Sequence, residues 1–123
     1  MFNKIVRVAA RGIPLDELPV QLSKAGLASL WLVQRATNGT DTGKLVRECT
    51  FPDFESTWGF LTQVSMRSHL WGHHPTITTT YNKVKLELAT HDLEQQPNSV
   101  SDVDLKMAKR IEKYIHMYSG SSP

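Results

Sequence analysis

The spacing of apolar residues changes from a helical to a strand-like period along this chain. After Asp53 the apolar residues recur every three or four positions, which predicts a helix to about Leu70 with Gly72 just past its end. This stripe consists of Phe54, Trp58, Leu61 and Val64. Residues 82–91 instead alternate between apolar and polar side chains, which predicts a strand with one buried face and one polar face. The apolar set is Val84, Leu86 and Leu88, and the polar set is Lys83, Lys85 and Glu87.

The other segments complete an alternating order of helices and strands. Residues 14–27 predict a first helix that stops near Gly26, in which Pro19 is tolerated only at an early position. Residues 29–34 and 44–51 predict two strands of a hairpin joined by "TNGTDTG".

The second half of the chain repeats this order. The stretch from Thr76 to Thr90 is rich in threonine, tyrosine and valine and predicts two strands. Ser101 predicts the cap of a last helix with Asp104 at the capping-box position, and 119–123 predict a flexible tail. The apolar stripe of this helix is Leu105, Ala108, Ile111 and Ile115. The order α-β-β-α-β-β-α predicts an α+β fold, a four-stranded antiparallel sheet with three helices packed on one face, in a single domain over 1–123.

Composition narrows the classes of function. The 123 residues are 40% hydrophobic and 21% charged, as in a folded globular domain. The net charge of +2 has no concentrated basic block, which disfavours direct nucleic-acid binding, and the apolar runs are too short to span a membrane. The lone Cys49 excludes an internal disulfide. Residues 1–13 are basic and resemble a mitochondrial targeting segment, so we expect a mitochondrial location, or a cytoplasmic one if this is an ordinary N-terminus.

The histidines are the candidate functional residues. His69, His73 and His74 lie in "HLWGHHP", and His91 follows ten residues after Tyr81. They could bind a metal, fill a core or transfer protons. We predict no metal site, because "LWG" lacks the glutamate of zinc proteases and a helix end at Gly72 would separate the imidazoles.

Acid–base catalysis suits the histidine set better. Imidazole titrates near neutral pH, so one histidine can donate a proton while another accepts one. No G-x-S-x-G, P-loop or G-x-G-x-x-G motif occurs. His116, in the last helix, is typical of a surface residue. The spacing alone predicts no more than a histidine-lined site for proton transfer.

At this point a resemblance to a known family adds detail. "HLWGHHP", then Tyr81, His91 and an acidic residue opening "DLKMAKRI" resemble the pterin-4a-carbinolamine dehydratases. "YNKVKLELATHD" and "TFPDFESTWGFLTQVSMRSH" also resemble that family, so the likeness runs from about Trp31 to Tyr114. The resemblance implies removal of water from 4a-hydroxytetrahydrobiopterin to give quinonoid dihydrobiopterin, without metal or cofactor.

The resemblance also implies a set of site residues. His73, His74 and His91 would be catalytic, with His91 the general acid, His73 the base and His74 orienting the pterin; acid and base could be exchanged. Substrate-binding positions would be Asp104, Trp31 and His69. Asp104 is equally typical of a helix cap and Asp102 competes for its role, whereas Trp31 also suits a core position.

The implied partners are the pterin substrate and a second copy of the chain. We expect a homodimer or homotetramer, because the apolar coverage of the last helix is wide: Met107, Tyr114 and Tyr118 add to Ile111 and Ile115 of its stripe. Two alternative functions stay open. One is a dimerisation or coactivator module with this fold, and the other is a dehydratase-like protein that acts on a different pterin.

Overall fold

Three α-helices and four strands form the part of the chain that the structure describes. The computed structural model describes residues 10–36, 42–90 and 99–120. The helices are α1 (Leu18–Lys24), α2 (Phe54–Trp71) and α3 (Asp102–Tyr118), and the strands are β1 (Leu32–Arg35), β2 (Gly43–Thr50), β3 (Thr76–Thr80) and β4 (Lys83–Leu88). This order confirms the predicted α+β class. Most of the predicted targeting segment, most of the hairpin connector and the end of the tail lie outside the described residues.

Helix α2 begins and ends where its capping residues predict. The Asp53 carboxylate accepts a hydrogen bond from the Ser56 backbone N–H at 2.7 Å, which lowers the pKa of this exposed side chain. Gly72 ends the helix in the left-handed conformation, with φ of 63°. The prediction for this helix is therefore confirmed to within one residue.

The first predicted helix is shorter than 14–27. A 3₁₀ turn over Leu15–Glu17 precedes α1, and Pro19 is the second residue of α1. Proline has no N–H to donate within a helix, so the α-helix cannot start much before it. Strand β1 also begins later than predicted, because the N–H groups of Leu30 and Trp31 both donate to the Leu27 carbonyl and hold that stretch in a turn.

The sheet is antiparallel throughout, with strand order β1-β2-β4-β3. Leu45 on β2 pairs with Leu88 on β4, and their side chains lie on the face that the helices cover. The core on this face contains Leu18, Leu22, Phe60, Val64, Leu86, Met107 and Ile111. The opposite face is mainly polar and includes an ion pair between Lys44 and Glu87. The alternation predicted for β4 is thus confirmed.

The segment before α1 is attached to the start of α3. The N–H of Ile13 donates to the Val100 carbonyl at 2.9 Å, and the N–H of Asp102 donates to the Arg11 carbonyl at 3.0 Å. The Asp102 carboxylate accepts from the N–H of Arg11 at 2.9 Å. Residues 11–13 are therefore part of the folded domain. None of the described helices is long and apolar enough to cross a bilayer.

Candidate active site

The turn at Gly72 separates the environments of the two adjacent histidines. After the left-handed residue, the backbone N–H of His73 donates to the Ser68 carbonyl at 3.0 Å, which returns the chain towards α2. The His73 side chain is buried, with 8% of its surface exposed, whereas His74 is exposed. Only His73 is thus in a position to make buried contacts.

His73 contacts a buried carboxylate at the start of α3. Its Nε2 lies 2.5 Å from Oδ1 of Asp104, whose side chain is fully buried. Asp104 is the third residue of α3, and its Oδ2 accepts the backbone N–H of Ser101 at 2.9 Å. This is the acidic half of a capping box, so Asp104 holds the helix end and the imidazole at once. Asp102, the competing acid, is exposed.

Two hydroxyl groups complete the surroundings of this carboxylate. Thr90 donates to Oδ2 of Asp104 at 2.8 Å, and the Thr90 and Ser101 hydroxyl oxygens are 2.6 Å apart. A buried carboxylate needs such partners, because removing it from water without them is costly. Each oxygen of Asp104 therefore has at least one hydrogen-bond partner.

This arrangement determines which nitrogen of a neutral His73 carries the proton. The ionised carboxylate only accepts, so His73 donates Nε2–H to it and Nδ1 keeps its lone pair. The described part of the chain provides no hydrogen-bond partner for Nδ1. His73 can therefore act as a base through Nδ1 while Asp104 fixes the tautomer and the ring orientation.

The remaining histidines of the motif lie on the surface. The rings of His69 and His74 are 6.5 Å apart, centre to centre and edge-on, and both side chains are exposed. Within the described ranges, no three histidine, cysteine, aspartate or glutamate side chains are grouped to hold a metal ion. His91 lies outside the described residues. His116 is exposed on α3.

Trp31 belongs to the core. Its side chain is 1% exposed, and its indole N–H donates to Oε2 of Glu112 at 2.7 Å. Glu112 also accepts from Nε and Nη2 of Arg47, at 2.6 and 3.1 Å, so one carboxylate joins β2, α3 and the indole. Glu112 is two turns from Asp104, about 12 Å along the helix axis. The structure accounts for Trp31 by packing, and its contact with substrate stays a prediction.

A separate groove lies at the end of the sheet. Its volume is about 580 Å³, and it is lined by Arg47, Glu48, Cys49, Thr50, Thr78, Thr80, Lys83, Val84, Lys85 and Ile115. None of the predicted site residues within 10–36, 42–90 and 99–120 lines it. Burial raises the pKa of the Cys49 thiol to about 11, against a smaller lowering by Arg47. A thiol of this kind is a poor nucleophile near neutral pH.

Thr90 is the residue at this site that the sequence did not single out. The strand parity does contain a signal, because Thr90 continues the buried series of Val84, Leu86 and Leu88. A hydroxyl on the buried face of a strand needs a hydrogen-bond partner. That requirement indicates a polar contact under the sheet, although it does not say with which residue.

Comparisons with known proteins agree with the fold and with the sequence motif. The family profile described as pterin 4 alpha carbinolamine dehydratase matches residues 15–114. A crystal structure of a transcriptional coactivator/pterin dehydratase from Brucella melitensis has a TM-score of 0.61 and 28% identity, over 77% of this chain and 93% of that one. A pterin dehydratase-like RuBisCO assembly factor of the alpha-carboxysome, with a TM-score of 0.55 and 21% identity over 76% and 93% of the two chains, shares the fold.

The fold class and the profile match thus point to one group of proteins, and relatives in two organisms support it. Both are named "Putative pterin-4-alpha-carbinolamine dehydratase". The relative from Saccharomyces cerevisiae is 50% identical over 94% of this chain and 96% of its own length. The relative from Metallosphaera sedula is 38% identical over 62% of this chain and 78% of its own. The chain belongs to the pterin-4-alpha-carbinolamine dehydratase family.

Proposed function

We propose that this protein catalyses the dehydration of a 4a-hydroxytetrahydropterin to the quinonoid dihydropterin. The observation that carries the proposal is the buried hydrogen bond between His73 and Asp104, which leaves the Nδ1 lone pair of a neutral imidazole for proton transfer. Membership of the family supplies the reaction class. The physiological substrate would be 4a-hydroxytetrahydrobiopterin.

The reaction needs two proton transfers. The bond from C4a to the hydroxyl oxygen breaks as that oxygen receives a proton and leaves as water. The ring nitrogen beside C4a loses its proton, and a double bond forms between nitrogen and carbon. Two oriented imidazoles can supply both transfers without metal or prosthetic group. We assign His73 as the base and His91 as the acid, with His74 orienting the pterin.

A stopped-flow assay with synthetic 4a-hydroxytetrahydropterin tests the proposal. The protein should accelerate dehydration, and His73→Ala and His91→Ala should each lower kcat about a hundredfold or more. His116→Ala is the matched control, because this histidine is exposed and lies three turns beyond Asp104 on α3; it should behave as wild type. Activity should survive prolonged chelation. Unchanged kcat in a protein lacking both His73 and His91 would contradict the assignment.

The predicted self-association cannot rest on the α3 residues that indicated it in the sequence. Met107, Ile111 and Tyr114 on α3 are buried in the chain's own core, so they offer no surface to a partner. Among the described elements, α2 carries the largest group of exposed large apolar side chains, namely Phe54, Trp58, Met66 and Leu70. We still propose a homodimer or homotetramer, which light scattering coupled to gel filtration measures directly.

A further inference from the structure

Thr90 is a buried residue that contacts the carboxylate partner of His73. Its side chain is 1% exposed, and its hydroxyl contacts both Asp104 and Ser101. It is also the residue directly before His91 in the sequence. The proposed reaction assigns no role to it.

The hydrogens of this cluster can be assigned from its donors and acceptors. An ionised carboxylate accepts only, so the single hydroxyl hydrogen of Thr90 goes to Oδ2 of Asp104. The hydroxyl of Ser101 then donates to the Thr90 oxygen, 2.6 Å away. With the Ser101 backbone N–H also on Oδ2, that oxygen is held from two directions. Oδ1 is thereby turned towards Nε2 of His73.

The backbone of Thr90 is fixed as firmly as its side chain. Its N–H donates to the Ser99 carbonyl at 2.7 Å, and it accepts the N–H of Ser99 at 3.2 Å. Thr90 and Ser99 are thus paired as an antiparallel bridge. The backbone of Thr90 is therefore held by contacts other than the one its hydroxyl makes with Asp104.

We propose that Thr90 is a positioning residue that holds the carboxylate of Asp104 against His73. The inference rests on the proposed function for its effect on catalysis. It does not depend on that function for its effect on the His73–Asp104 hydrogen bond.

Three variants separate positioning from packing. Thr90→Val keeps the shape and removes the hydroxyl, and Thr90→Ser keeps the hydroxyl. Ser99→Ala is the matched control, since this buried hydroxyl lies opposite Thr90 in the same bridge and has no hydrogen-bond partner among the described residues. Thr90→Cys, with a weak donor of intermediate size, replaces the valine variant if the latter does not fold.

Two readouts are measured on each folded variant. Thr90→Val should lower kcat about tenfold or more with KM changed by less than about threefold, because small misplacements of a catalytic group are costly. In long-range ¹⁵N–¹H NMR spectra, wild-type His73 should show a proton on Nε2. In Thr90→Val this proton should shift and exchange faster with solvent. Thr90→Ser and Ser99→Ala should stay close to wild type in both readouts.

The outcomes distinguish the two proposals. Wild-type kcat and an unchanged His73 proton in Thr90→Val would overturn the positioning role, and so would a loss of kcat with that proton unchanged. If the wild-type protein does not dehydrate the pterin but the His73 proton responds to Thr90→Val, the proposed function fails and the positioning role stands. Equal damage from Thr90→Ser and Thr90→Val would assign the residue to packing instead.

Discussion

Removing the carboxylate of Glu112 should destabilise the protein strongly. Glu112→Ala deprives the buried indole N–H of Trp31 of its acceptor and the Arg47 guanidinium of its partner. Both groups are held inside the domain, since the Arg47 side chain is only 17% exposed. The hydrogen bond to Glu112 also raises the pKa of Arg47, which agrees with a stabilised ion pair.

The size of the effect follows from these two losses. An unsatisfied buried N–H costs about 1–3 kcal/mol. Breaking a fully buried ion pair costs about 3–5 kcal/mol, but Arg47 can regain part of its hydration, so about 1 kcal/mol is appropriate here. The expected loss in the free energy of unfolding is about 2–4 kcal/mol. With an unfolding entropy of about 2.1 cal/mol/K per residue, this chain should lose about 4 °C in Tm for each kcal/mol, so Tm falls by about 8–16 °C.

Urea and thermal denaturation followed by circular dichroism measure this loss. Glu112→Gln keeps an acceptor for Trp31 but not the charge. Its loss in the free energy of unfolding should be about half that of Glu112→Ala. Glu55→Gln, a change of the same kind at an exposed position of α2, should stay within about 0.5 kcal/mol of wild type. A Tm within 2 °C of wild type for Glu112→Ala would refute the reasoning, because about 2 kcal/mol is its lowest expected cost.

Further predictions concern Cys49 and the N-terminal segment. Because burial raises the pKa of Cys49 to about 11, iodoacetamide should alkylate it more slowly in the folded protein than in urea at pH 8, and equal rates would contradict this. The same raised pKa contributes stability below the ordinary thiol pKa, and this should be lost as the pH rises from 9 towards 11, as pH-dependent denaturation of wild type and Cys49→Ser would show. Residues 1–13 fused to a fluorescent protein should enter mitochondria if they are a targeting segment. Any cleavage should fall before Arg11, since residues 11–13 pair with the start of α3, and N-terminal sequencing of the mature protein would locate it.

The sequence predicts the elements better than it predicts their contacts. Helix α2 was predictable because Asp53 and Gly72 mark its ends, and β4 because its alternation is strict. The strand order β1-β2-β4-β3 was not predictable, because periodicity identifies a buried face but not a neighbour.

At the site, the sequence could not predict the direction in which each side chain points. Adjacent histidines in the motif have equal chemistry, and only the turn at Gly72 shows that His73 is buried while His74 is exposed. Asp104 was predicted both as a helix cap and as a site acid, and it makes both kinds of contact within the protein. Glu112 could not be distinguished from a solvated charge, because its partners lie 65 and 81 residues away along the chain.

The number of residues in α2 determines the direction in which His73 points. Each residue of an α-helix advances the chain by about 1.5 Å and turns it by about 100°. Between its aspartate cap and its glycine stop, α2 contains 18 residues, and this number sets the direction in which the chain leaves the helix. One residue inserted or deleted in the middle of α2 would leave every motif letter intact and yet aim the first imidazole of the pair away from its carboxylate. Relatives that preserve the motif but differ in this count should therefore not be assumed to share the site.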